Sequence, residues 1–194
     1  MSKGSQHTKE LLLAAAREEF AAHGIAGARV DRIAERAGVN KERIYGYFGN
    51  KDRLFDAVVT AALDELADAV PLSGQDDPVD YVGRVYDFHR DNPTLLRLLL
   101  WEALHYRGQA LPCEDDRRAR YTTKVTALAK SLNADPSPQV AACLLTLIGL
   151  AAWPNAVQQL ARLIVGTATE TDAFQHTMRA HVVEFARRAL SPSQ

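Results

Sequence analysis

Between its glycines and prolines this chain reads as helix almost without interruption, and that periodicity limits the fold more than any other feature. Leu12, Ala16 and Phe20 recur at i, i+4 and i+8, which stacks them on one face of a helix. Strand-like alternation of apolar and polar residues is rare. Glycine and proline fall instead at breaks: Gly24, Gly38, Gly49, Pro71 to Pro78, Asp91-Asn92-Pro93, Gly108 to Pro112, Asn133 to Pro138 and Gly166 to Thr171. With 47% of 194 residues hydrophobic, the chain can bury a core. The expected class is all-α with about nine helices. The first should run from an N-cap at Thr8 to about His23, ended by Gly24. Short helices follow at about Val30–Ala37 and Lys41–Phe48, and a longer one from Lys51 to about Val70. Beyond a loop at Pro71 to Pro78, helices are expected at about Val79–Arg90, Pro93–Tyr106, Asp115–Leu132, Pro138–Val165 and Asp172–Leu190. Pro154 should kink the fourth of these or split it.

The two short helices are joined by Gly38, which permits a left-handed turn, and Asn40, which can cap the second. Two helices around a glycine turn, the second exposed, make a helix-turn-helix. In the second helix Ile44 and Phe48 share the inward side, while Glu42, Arg43 and Gly46 lie opposite, flanked by Tyr45 and Tyr47. A helix entering a major groove needs donors and acceptors outward and a small residue where DNA comes close. Arg can bond guanine bidentately, Glu can accept from cytosine, and a Tyr hydroxyl can reach base or phosphate. Lys51 opens the next helix, where charge and backbone N–H groups together suit a phosphate.

Charge agrees with this location. From Arg29 to Arg53 the basic residues are Arg29, Arg32, Arg36, Lys41, Arg43, Lys51 and Arg53, against Asp31, Glu35, Glu42 and Asp52. The whole chain carries a net charge of -1. A basic window on a near-neutral chain suits a dedicated polyanion-binding segment attached to a body with another task.

Thr8 to Phe55 resembles the DNA-binding domain of TetR-type bacterial repressors. The resemblance lies in Phe20, Gly24, Ile33-Ala34, Ala37-Gly38-Val39, Tyr45, Tyr47-Phe48 and Asn50-Lys51. It implies phosphate contacts from Arg29, Tyr47 and Lys51 and base contacts from Lys41, Glu42 and Tyr45, with Arg43 able to reach either. Asn40 and Gly46 complete the candidate DNA-binding set. Glu42, Arg43 and Gly46 depart from the family pattern, where Gly, a small hydroxyl residue and a larger residue are common. They lie on the outward face, so they bear on which DNA is read rather than on the fold. The corresponding division is residues 1–55 for the helix-turn-helix domain and 56–194 for a ligand-binding and dimerisation bundle.

The C-terminal helices are strongly apolar. Phe174, Met178, His181, Val182, Phe185 and Ala189 form one stripe, and Leu144, Leu145, Leu147, Ile148 and Leu150 surround the preceding helix. A helix apolar nearly all round must be covered on two sides. The resemblance implies that these helices pair with a second copy, with Leu144, Leu147, Ile148, Phe174, Met178, His181, Val182 and Phe185 at the homodimer interface. Two recognition helices then read a palindrome in double-stranded DNA. Tyr86, His89, Trp101, His105, Tyr121 and Trp153 are candidates to line a pocket for a small-molecule effector, mostly apolar with a few polar groups.

Other classes find little support. The six histidines contain no i, i+4 pair, and no G-x-S-x-G, P-loop or G-x-G-x-x-G motif occurs. Cys113 and Cys143 form no C-x-x-C pair, so neither a structural metal nor a disulfide framework is expected. The expectation is a non-enzymatic, cofactor-free cytoplasmic protein. No uninterrupted apolar run approaches the roughly 18–20 residues of a membrane span, and Met1 to His7 lacks a signal-peptide core.

Overall fold

The computed structural model describes residues 3–111, 114–166, 169 and 171–191. Among them are ten helices and no strand: α1 (Lys3–Gly27), α2 (Val30–Ala37), α3 (Lys41–Phe48), α4 (Lys51–Ala69), α5 (Pro78–Asp91), α6 (Pro93–Tyr106), α7 (Glu114–Ser131), α8 (Pro138–Ala156), α9 (Gln158–Val165) and α10 (Asp172–Leu190). The all-α expectation holds. The chain divides into two compact units, Met1–Ala67 with Thr94–Pro112, and Asp68–Pro93 with Cys113–Gln194. The Cys113 reading lies outside the described residues, while Cys143 is a half-buried free thiol.

In the first unit, Leu12, Ala16 and Phe20 are completely buried, as their spacing requires. Phe20 meets Phe55 of α4 edge to face at 5.2 Å. Burying such side chains supplies roughly 1.5–3 kcal/mol each, the main term holding these helices together. Two details differ from expectation. Thr8 does not cap α1, which already runs from Lys3; its hydroxyl donates to the Gly4 carbonyl 2.9 Å away, four residues back. Gly24 breaks the helical path with φ 66° and ψ 179°, yet α1 resumes for one turn to Gly27. From α6, the Trp101 indole N–H donates to the Ala21 carbonyl at 3.3 Å, and the Tyr106 hydroxyl donates to Asp56 at 2.9 Å.

In the second unit, α5 packs on α8 and α10. Asp77, Ser137 and Thr171 cap α5, α8 and α10 through their side chains. Tyr81, Val82, Val85, Tyr86 and His89 make α5 the buried element. A Cβ at Gly83 would lie 2.9 Å from Arg179 Nη2 and 3.2 Å from Val183, so the missing side chain sets how closely α10 approaches. Asp87 of α5 also accepts from Arg179 at 2.7 Å.

Of the two outcomes expected at Pro154, a kink or a split, the structure shows the split: Pro138 to Val165 is two helices. Pro154 lacks the N–H that would bond four residues back, and the path leaves helical geometry three residues later, at Val157 (φ -119°, ψ 55°). The first piece corrects the expectation about apolar length. At 19 residues and mean hydropathy 1.4, α8 is long and apolar enough to span a membrane by those two measures alone. The core helix of a soluble protein meets the same measures.

Candidate functional site

The helix-turn-helix is built around three local devices. Gly38 ends α2 in the left-handed region (φ 65°, ψ 30°), and the Gly38 and Val39 N–H groups bond back to Glu35 and Ala34. Asn40 then caps α3, its side chain accepting from the Glu42 N–H. Buried Glu19 of α1 fastens the assembly from behind, accepting from the Arg29 N–H at 2.9 Å and from Arg32 Nε at 2.8 Å. Burial opposes ionisation of Glu19, but the bonds from Arg32 and Arg29 outweigh it and hold the carboxyl below its usual range.

Ile44 and Phe48 are buried and anchor α3, so its opposite face is fixed in the open. That face carries Glu42, Arg43, Tyr45 and Gly46, all exposed, with Lys41 and Tyr47 half-buried at its edges. Arg29, Arg36, Arg43, Lys51 and Arg53 form no ion pair among the described residues. Besides Asn40, three of the candidate contacts are already engaged. Lys41 Nζ lies 2.6 Å from Asp31 of α2, and the Tyr47 hydroxyl shares a hydrogen bond of 3.1 Å with Ser5 Oγ. Lys51 is half-buried, and its Nζ donates weakly to the Ala28 carbonyl at 3.5 Å. That bond holds the ammonium at the first turn of α4, where Asn50 caps by accepting from Arg53 N–H at 2.8 Å. Asp31, Ser5 and Glu19 escaped sequence reasoning because each acts across at least ten residues, beyond any helical spacing.

The second unit holds a cavity of about 320 Å³ beside Tyr86. Of the six residues expected to line a pocket, Tyr86 is on its wall. His89 is buried one turn further along α5, Tyr121 and Trp153 are exposed on α7 and α8, and Trp101 and His105 belong to the first unit. The cavity wall instead includes Asn155, Gln158, Gln159, Arg162 and Gln175, polar residues that read in sequence as solvated. Phe174 and Met178, expected at a dimer interface, also line it. Leu144, Leu147 and Val182, expected there too, are at most 4% exposed and pack inside the protomer. Ile148 is half-buried and His181 exposed, and the large apolar side chains that face outward on these helices are Leu145, Trp153 and Phe185.

Comparison with known proteins agrees with this geometry. Residues 12–58 match the bacterial regulatory proteins of the tetR family, and residues 77–188 match the tetracyclin repressor-like C-terminal domain. The HTH-type transcriptional repressor SCO4008 of Streptomyces coelicolor is 38% identical over 193 residues, covering 96% of this chain and 97% of that protein. The solved structure of the transcriptional regulator SCO4942, also from Streptomyces coelicolor, superposes with a TM-score of 0.77 at 29% identity, covering 94% of this chain and 97% of that one. FadR from Bacillus subtilis, solved in complex with stearoyl-CoA, shares the fold with a TM-score of 0.61 at 15% identity, covering 90% and 97%. The chain belongs to the tetR family of bacterial regulatory proteins and is a helix-turn-helix transcriptional repressor.

Proposed function

We propose that the protein binds a palindromic operator as a homodimer in the cytoplasm and is released from it by a small-molecule effector held in the second unit. One observation carries the DNA-binding half: α3 is anchored by Ile44 and Phe48 so that Glu42, Arg43, Tyr45 and Gly46 stand in the open together. In a major groove Gly46 lets the helix approach closely. Arg43 suits guanine or phosphate, and Glu42 suits a cytosine amino group. Arg29, Tyr47 and Lys51 hold the backbone and set the register, with Asn40 and Lys41 at the entry to the groove. A second copy supplies the other half-site about 34 Å away. Leu145, Trp153 and Phe185, left in water by a single protomer, supply its docking surface.

Induction is a population shift: an effector that prefers a conformation with the wrong spacing between recognition helices lowers DNA affinity by its differential binding. α4 suits the role of lever, since it opens at Lys51 and its last residues, Asp68 and Ala69, belong to the second unit. The reading is supported by the fold shared with FadR from Bacillus subtilis, a protein solved in complex with stearoyl-CoA.

Selection from a random DNA pool tests the reading and should return a palindrome. Affinity for it should fall steeply with salt through counterion release. Lys51→Ala should weaken binding to all sequences alike, whereas Glu42→Ala should change the preferred base. Equal losses on every sequence from both changes would remove Glu42 as a base reader.

A further inference from the structure

α9 is turned the wrong way for a helix that serves a lone protomer. A rotation of about 100° per residue sets Gln158 and Arg162 on one side and Leu160, Leu163 and Ile164 on the other. The polar side, with Gln159 and Ala161, lines the cavity beside Tyr86. The apolar side lies in water: Leu160, Leu163 and Ile164 are 43%, 84% and 75% exposed. A surface helix of a soluble protein turns its apolar stripe toward the core. In α9 the stripe looks out.

Among the described residues, its own protomer gives α9 little to hold it. None of its eight residues is buried. It packs chiefly on α8, which it follows after the break at Val157. The cavity it lines together with Phe174, Gln175 and Met178 of α10 leaves about 320 Å³ of space on its inner side. Isolated helices shorter than roughly 12 residues are marginal in water. A helix this short, with no buried side chain, needs a contact on its outer side.

The other exposed apolar side chains indicate what makes that contact. Apart from Tyr121, every large apolar side chain left exposed among the described residues of the second unit is on α8, α9 or α10. They are Leu145 and Trp153, then the stripe with Val165 beside it, then Phe185. At roughly 100 Å² apiece they amount to about what each partner gives a standard-size interface, ~800 Å². The stripe carries no charge, so a two-fold mate bringing the same face meets no like charge there. A lipid surface fits less well, since interfacial helices are rich in Lys and Arg on the polar face and α9 has only Arg162.

We propose that α9 is an interface helix whose Leu160, Leu163 and Ile164 dock on a second copy of this chain while its polar side walls the cavity. The i, i+3, i+4 spacing is the one by which a helix anchors in an apolar groove. The proposal rests on the homodimer reading above and extends it from α8 and α10 to the helix between them. In the dimer α9 is then the partition between cavity and partner, so an occupant of the cavity bears on dimer geometry through a single helix.

Sedimentation velocity of the full-length protein, with hydrogen exchange of residues 158–165, tests it. The wild-type chain should dimerise, and its α9 amides should exchange at least about tenfold faster on dilution to monomer. Leu163→Ser combined with Ile164→Ser should keep the wild-type circular dichroism and weaken the dimer at least about 100-fold. Leu104→Ser, an exposed leucine of the first unit, should leave the dimer within about twofold. A double variant that dimerises like the wild type while Leu145→Arg is monomeric would overturn the role of α9 and leave the homodimer standing. Exchange equally fast in dimer and monomer would do the same. A wild-type chain monomeric at every concentration would sink both readings. Flotation of that monomer with phosphatidylcholine and phosphatidylglycerol vesicles would then assign the stripe to lipid, and protected α9 amides would assign it to a segment of its own chain.

Discussion

Trp101 lays its indole against the backbone of Gly24: a Cβ at that glycine would sit 2.7 Å from both Cδ2 and Cε3 of the ring. The same indole donates to Ala21, so one side chain of α6 both fills the space over the break in α1 and bonds the carbonyl just before it. Gly24 is thus required twice, by its φ of 66° and by the ring above it.

The two requirements separate by mutation. Gly24→Ala should cost about 3 kcal/mol, part backbone strain and part overpacking. In a Trp101→Ala background the steric part disappears and roughly 2 kcal/mol of strain remains, since φ 66° with ψ 179° is a region only glycine visits readily. Urea unfolding at fixed protein concentration reads both, and an identical cost with and without the ring would disprove the steric contribution.

Lys41, a candidate DNA contact, is paired with Asp31, which raises its pKa chiefly through their hydrogen bond. Asp31→Asn removes a negative charge beside the candidate groove-facing helix and frees the ammonium. Affinity should rise a few-fold on all sequences at low salt, and the salt slope should steepen by at most about one counterion. Fluorescence anisotropy measures both, and an unchanged affinity and slope would mean that the Lys41 ammonium does not reach the DNA.

His89 is 2% exposed, and burial pushes its pKa down from 6.5 to about 4. Its Nδ1 has no hydrogen-bond partner among the described residues. The folded state therefore binds the proton less readily than the unfolded chain. This contribution is fully present above about pH 6.5 and is lost progressively toward pH 4, by at most about 3 kcal/mol. His89→Leu should flatten the stability profile in that window, as denaturant midpoints measured pH by pH would show. Glu19 acts lower on the scale: its depressed pKa makes a contribution present above 4.5 and lost as acid protonates it. A profile still sloping between pH 6.5 and 4.5 in the variant would point to a different histidine.

Leu145 and Phe185 are 73% and 58% exposed on α8 and α10. Leu145→Arg and Phe185→Arg should each leave a folded protomer that sediments as a monomer and binds the operator far more weakly. Leu144→Arg, one residue away but 3% exposed, should instead unfold the protomer by burying an unpaired charge. Sedimentation velocity with circular dichroism distinguishes the outcomes, and dimers surviving both surface changes would place the interface elsewhere.

The helix-turn-helix was legible because its determinants are local. Gly38 turns, Asn40 caps, and the spacing of Ile44 and Phe48 points them inward. What stayed hidden depends on rotation or on distance. Leu144 and Leu145 are equally apolar in sequence, and only the phase of α8 against its neighbours decides which one the core takes. Asp31 meets Lys41 across a turn, and the cavity wall is made of glutamines that carry no apolar signal. Trp101 looked like a pocket residue because an indole on an apolar helix reads the same whether it faces a ligand or a glycine.

The compact units are not consecutive in the chain: the polypeptide leaves the first after Ala67, returns at Thr94 and departs again after Pro112. A reading head grafted onto a foreign body as one continuous N-terminal piece would arrive without the indole over Gly24 and the phenol on Asp56. Recombination that swaps the head must therefore carry α6 with it. On the function proposed above, a change of operator is reached more readily by substitution on the open face of α3 than by exchange of a whole module.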